Sequence, residues 1–97
     1  MNTDSIDCRK RTFGAAHDTD GIERPGDFCF DPDLRHLYVY LPGSSGPTAI
    51  AIAHTTLTTP YRVWQWDGNQ ETPTLSPSIH LVGTWHGWLR AGKLVSC

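Results

Sequence analysis

Residues 36–54 read "HLYVYLPGSSGPTAIAIAH", two runs of alternating side chains separated by a block of turn formers. In the first run Leu37, Val39 and Leu41 point to one face and Tyr38 and Tyr40 to the other, which is the period of two that a strand imposes. In the second, Ile50 and Ile52 point one way with His54 next on their side, while Ala49, Ala51 and Ala53 permit close packing on the other. Pro42, Gly43, Ser44, Ser45, Gly46 and Pro47 end the first strand and admit the second.

Working outward, Pro-Gly, Asp-Pro, Asp-Gly-Asn, Thr-Pro and Ser-Pro breakers leave only short segments between them. These predict strands at 27–30, 36–41, 48–54, 61–66, 78–82, 84–90 and 93–96. No segment gives an amphipathic helix of about ten residues, and no internal repeat is present. The expected fold is all-β, or β-rich with little helix: a compact antiparallel sheet curled into a partial barrel or two-layer sandwich, with "RAGK" closing its last hairpin. Residues 1–20 mix polar side chains and glycine without apolar periodicity and read as a flexible or loosely docked arm; residues 21–97 read as a single domain.

A chain of 97 residues buries only about 60–65% of its unfolded surface, so its core is small. Hydrophobic residues make up 38% and the mean hydropathy is −0.37, which leaves four Trp, three Tyr and three Phe to supply much of the buried area. Eight basic against ten acidic residues give a net charge of −2, so no broad positive field attracts nucleic acid or anionic lipid. The longest apolar run, 48–53, falls far short of the roughly 20 residues of a membrane span, and no signal-peptide region opens the chain. The expected setting is therefore the cytoplasm. Cys8, Cys29 and Cys97 are odd in number and lack CxxC spacing, which speaks for free thiols rather than a disulfide framework or zinc knuckle.

The chemistry-bearing residues lie in 64–88, "WQWDGNQETPTLSPSIHLVGTWHGW". Trp64 and Trp66 stand two apart and share a strand face, as a stacking platform or as core. Pro73 and Pro77 each remove a backbone donor, so "TPTLSPS" is an edge strand or rigid loop. That places Ser76 and Ser78 on stiff backbone, which suits a nucleophile as well as it suits ordinary loop hydrogen bonding.

A serine needs a base, and His80 and His86 are near in sequence. If the strands join through a two-residue turn at Gly83 and Thr84, Ser78 faces Leu89 and His86 lies on the opposite face. A three-residue connection restores the shared face but sets Ser78 opposite Arg90, with His86 still roughly 13 Å along the strands. An ideal hairpin thus forbids a Ser78–His86 dyad unless the proline-bound segment leaves the ladder. His54, His80 and His86 with Asp67 or Cys97 form an alternative metal set, but no HxH, HxxxH or CxxC spacing supports it, and no metal is expected. A phosphate loop, a dinucleotide fingerprint and a GxSxG elbow are absent, so no cofactor is expected either.

With "RPGDFCF", "LYVYLPG", "WQWDGN", "PTLSPSIH" and "WHGWLRAGKLV" in order, the chain resembles, from about Glu23 to Cys97, a family of small phage and bacterial proteins. Many members carry the name "ammonia monooxygenase", which a chain with neither a membrane span nor a dense ligand set contradicts. The wider family resembles serine peptidases encoded in bacterial ubiquitin-like conjugation (Bub) operons, which process or remove the modifier. The resemblance implies that Ser78 of Pro-Ser-Ile is the nucleophile and His86 its base; it does not fix the orienting acid, for which Glu23, Asp67 and Glu71 are the candidates. Relatives in those operons carry a Cys-Pro-Cys-Gly-Cys-like cluster and a Cys before the histidine; here "FDPDLRH" and Trp85 stand instead, so a metal-stabilised version of the fold is not expected. The partner implied is a protein or peptide, with a ubiquitin-like modifier the named candidate. The competing expectation is a binding module that presents Trp64, Trp66, Trp85 and Trp88 to a host protein.

Overall fold

The computed structural model describes residues 5–11, 21–53, 63–76 and 78–96. Its strands are β1 (Ser5–Asp7), β2 (Arg9–Lys10), β3 (Asp27–Phe30), β4 (His36–Tyr40), β5 (Pro47–Ala53), β6 (Trp64–Trp66), β7 (Leu75–Ser76), β8 (Ile79–Leu81), β9 (Trp85–Arg90) and β10 (Lys93–Ser96). They form a four-stranded sheet, β1-β10-β9-β8, and a six-stranded sheet, β2-β3-β4-β5-β6-β7, which curls into a half-barrel. The all-β expectation holds.

The period-two reading of 36–53 matches the burial. Leu37 and Val39 are fully buried while Tyr38 and Tyr40 are half-buried, and Ile50 and Ile52 are buried while Ala49 is exposed. One core lies between the sheets: Phe28, Leu37, Val39, Ile50, Ile52, Trp66 and Leu75 from the larger, and Ile79, Leu89 and Leu94 from the smaller. Side chains buried to this degree stabilise the fold by about 1.5–3 kcal/mol each. Phe30 packs edge-to-face on Phe28 at 5.9 Å and against Trp66 at 4.9 Å, so the aromatics join the two ends of the half-barrel.

Two features depart from the expected antiparallel sheet. β2 pairs parallel with β3, and β5 parallel with β6. Parallel neighbours need a crossover connection, and local turn residues signal only hairpins, so such pairs leave no mark in a short sequence window. The second departure is at the N-terminus, where residues 5–10, expected in an arm outside the domain, are strands of both sheets. β1 completes the smaller sheet beside β10, and β2 lies beside β3 in the larger. Between them the Cys8 N–H donates to Gly92 O at 2.9 Å. His54, Tyr61 and Arg62, expected at strand ends, lie outside the described residues.

What holds the N-terminal strands is Asp27, whose carboxylate is fully buried. It accepts from Arg9 Nε at 2.8 Å and Nη2 at 2.6 Å, and from the backbone N–H of Glu23 at 2.9 Å and Arg24 at 3.3 Å. Burial pushes this carboxyl up, but the guanidinium and the two N–H donors outweigh burial and hold it below the usual carboxylate range.

Candidate active site

The segment that carries Ser78 is held rigidly on its approach. Asp67 Oδ1 accepts from the N–H of Asn69 and Thr74, and Asn69 Oδ1 from the N–H of Glu71 and Thr72, so the loop after β6 is tied by its own side chains. The β9–β10 turn then docks on it: Gly92 N–H donates to Pro73 O at 3.0 Å and Ala91 N–H to Thr74 Oγ1 at 2.8 Å. That turn is the expected two-residue one, with Ala91 and Gly92 both left-handed at φ 49° and 75°. β7 is an edge strand, as Pro73 and Pro77 required.

From Leu75, buried in one sheet, the chain reaches Ile79, buried in the other, within four residues. Ser78 stands at this junction. Its carbonyl accepts a hydrogen bond from Trp64 Nε1 at 3.3 Å, which ties its backbone to β6. Ser78 Oγ lies 3.1 Å from Nε2 of His86.

The register explains a contact that the sequence had seemed to forbid. β8 and β9 pair as Leu81↔Trp85, His80↔His86 and Ile79↔Gly87. The connection has three residues, but they are Val82, Gly83 and Thr84, one position earlier than the three-residue case that sets Ser78 opposite Arg90. Thr84 N–H donates to Leu81 O at 2.9 Å, and Gly83 takes the positive φ of 78° that this turn needs at its third residue. Continuing the register sets Ser78 beside Trp88, on the same face as His86 and one diagonal step from it. Diagonal neighbours lie about 7–8 Å apart at Cα, which an imidazole spans. The separation of roughly 13 Å is thereby corrected; Ser78 and His86 meet without leaving the ladder's face.

Position 87 on β9 admits only glycine. A Cβ there would collide with the Val95 carbonyl oxygen and with the Trp85 ring, which lies across Gly87 and donates from Nε1 to Ser96 Oγ at 3.0 Å. Gly87→Ala is expected to destabilise the protein by about 2 kcal/mol, read as a lower urea midpoint at constant slope. An unchanged midpoint would show that both the Val95 carbonyl and the Trp85 ring give way without cost.

The remaining expected residues fall into place as follows. Glu23 meets Arg9 at 3.5 Å and Glu71 meets Lys10 at 2.6 Å, while Asp67 serves the loop described above. None of the three is brought to His86. Trp66 is only 4% exposed and donates to Asn69 O, while Trp64 and Trp85 are half-buried and pack against the core. Trp88 is the member of the set on the outer face, with the Arg90 guanidinium 4.5 Å above its ring. Among the described residues no three His, Cys, Asp or Glu side chains converge as a metal set; His54 and Cys97 lie outside them. Burial pushes the Cys8 thiol up to about 12 and the Cys29 thiol up as well, so neither is a thiolate at neutral pH that would compete with Ser78 as nucleophile. Sequence reasoning singled out His80 as a base for Ser78 or a metal ligand; its place directly across from His86 follows from the register.

Residues 43–97, more than half of the chain, match the family model of BubE, the bacterial ubiquitination-like system serine protease. Comparison with curated proteins and with solved structures returned no match.

Proposed function

Because the chain belongs to the BubE family of bacterial ubiquitination-like system serine proteases, we propose that Ser78 is its nucleophile and His86 its general base, in a peptidase that processes or removes a ubiquitin-like modifier. One observation carries the assignment: Ser78 Oγ and His86 Nε2 stand 3.1 Å apart, within the reach that proton transfer requires.

In this reading Ser78 Oγ attacks the carbonyl carbon of the modifier's terminal acyl group while its proton passes to His86 Nε2. The tetrahedral intermediate collapses as His86 returns that proton to the departing amine. Water, deprotonated by the same imidazole, then releases the acid and restores Ser78. The oxyanion needs backbone N–H donors, for which the rigid backbone around Ser78 is the candidate. Gly83 is a poorer one, because it sits at the hairpin tip beyond β8, five residues and roughly 15 Å along the chain from Ser78. The Trp-based binding reading rests on Trp88 alone among the four tryptophans, since the other three pack in or against the core.

A fluorophosphonate serine-hydrolase probe tests the assignment on wild type and Ser78→Ala, with circular dichroism to show that both are folded. Labelling of wild type alone is the expected result. Labelling retained in Ser78→Ala, or absent from wild type, overturns it.

A further inference from the structure

His86 is one of a row of rings on the outer face. The His80 ring lies 4.7 Å from it, centroid to centroid, with planes tilted by 31°. The Trp88 ring, two residues along the same strand, lies 6.3 Å away, tilted by 32°. The register produces this arrangement: His80 is directly across the ladder from His86, and Trp88 follows His86 by two on the same strand face.

An imidazole on an exposed strand face has several rotamers open to it, and only those that aim Nε2 at Ser78 are useful for removing its proton. In a serine triad a carboxylate makes that selection by accepting a hydrogen bond from Nδ1. Among the described residues no carboxylate is hydrogen-bonded to His86: Glu23 goes to Arg9, Glu71 to Lys10, Asp67 to backbone N–H groups and Asp31 to His36. The His80 ring can make that selection by shape, since a ring packed 4.7 Å from the imidazole closes the rotamers that would turn His86 into its space.

We propose that His80 is a positioning residue, whose ring face holds His86 in the rotamer that aims Nε2 at Ser78 Oγ. The inference rests on the assignment of Ser78 and His86 as nucleophile and base. It requires the face of the His80 ring and not its nitrogens, which makes phenylalanine an adequate substitute.

The test compares the full-length wild type with His80→Ala and His80→Phe. In fluorophosphonate labelling, His80→Ala is expected to lower the maximal acylation rate about fivefold, with the half-saturating probe concentration unchanged. His80→Phe is expected to stay within about twofold of wild type. A wild-type rate in His80→Ala overturns the proposal, and so does a His80→Phe protein as slow as His80→Ala.

A second measurement does not depend on reactivity. Proton NMR should show a nuclear Overhauser contact between the His86 ring and the Ser78 β-protons in wild type and His80→Phe, and its loss in His80→Ala. Persistence of that contact in His80→Ala overturns the positioning role. If even wild type resists the probe, the peptidase assignment fails, and the NMR contact alone decides whether His80 sets the orientation of His86.

Discussion

Replacing His86 with alanine is expected to slow acylation of Ser78 about a thousandfold while leaving the fold intact. A serine hydroxyl is a weak nucleophile until a base takes its proton, and positioned general bases contribute about 10²–10⁴-fold. The His86 ring is the only base placed against Ser78 Oγ among the described residues, at 3.1 Å. In the structure the His80 ring packs on His86 at 4.7 Å, and it is His86, not His80, that is hydrogen-bonded to Ser78 Oγ. The fold should tolerate the change because His86 projects from the exposed face of β9, while its neighbours Gly87 and Leu89 face the core. Exposed substitutions of this kind change stability by about 0.5 kcal/mol or less. The measurement is the pseudo-first-order labelling rate beside the urea midpoint of the same preparation. A rate within tenfold of wild type, in a protein with an unshifted midpoint, would remove His86 from the role of base.

The largest loss of stability is expected from Asp27→Asn, about 3 kcal/mol at neutral pH. The substitution keeps the side-chain volume and removes the charge. The new amide then turns an N–H₂ group toward one of four donors that now converge on carboxylate oxygens: Arg9 Nε, Arg9 Nη2 and the backbone N–H groups of Glu23 and Arg24. A buried donor left without an acceptor bears the full cost of its desolvation, which is why breaking such a cluster costs more than its hydrogen bonds contribute. A domain of this size has about 5–10 kcal/mol to lose. The consequence should also be structural, since the Arg9 contact is what ties β2 to β3 across a separation of 18 residues.

The effect should depend on pH with a definite sign. Burial raises the Asp27 carboxyl, the Arg9 guanidinium and the N–H donors lower it by more, and the net direction in the folded protein is down. A carboxyl held below its unfolded value of about 3.9 contributes stability that is fully present above that pH. The contribution is lost as pH falls through the lower, folded-state value. The gap in urea midpoint between wild type and Asp27→Asn should therefore be widest at pH 7 and narrower near pH 3. Asp31 follows the same course: burial raises its carboxyl, and the His36 ring with the N–H groups of Arg35 and His36 lowers it by more. Its share of the acid sensitivity should remain in the Asp27→Asn protein. A gap that is equal at both pH values would mean that the charge of Asp27 is not what the site stabilises.

Much of the fold is legible along the chain where the information is local. Leu37, Val39, Ile50 and Ile52 reach the core because a strand sends alternate side chains to one face, and no distant residue is needed to read that. Pro73 and Pro77 confine their segment to an edge because they lack N–H donors, and Ala91 with Gly92 forms the tight turn expected between Arg90 and Lys93. The proposal of Ser78 and His86 as a pair comes from the family resemblance, since the segment itself offers Ser76 and His80 as well.

Tertiary structure decided the rest, because those choices rest on contacts between residues far apart or on a register finer than composition can resolve. Nothing local to Ser5–Lys10 marks it as strand; β10, β3 and the buried Asp27 make it so. The start of the β8–β9 turn is open in the sequence, since Val82, Gly83, Thr84 and Trp85 admit more than one loop, and a shift of one residue moves every side chain to the other face. The observed pairing of Ile79 with Gly87 and Leu81 with Trp85 selects the loop that begins at Val82. By that selection Ser78 and His86 come together, and His80 comes to lie against His86.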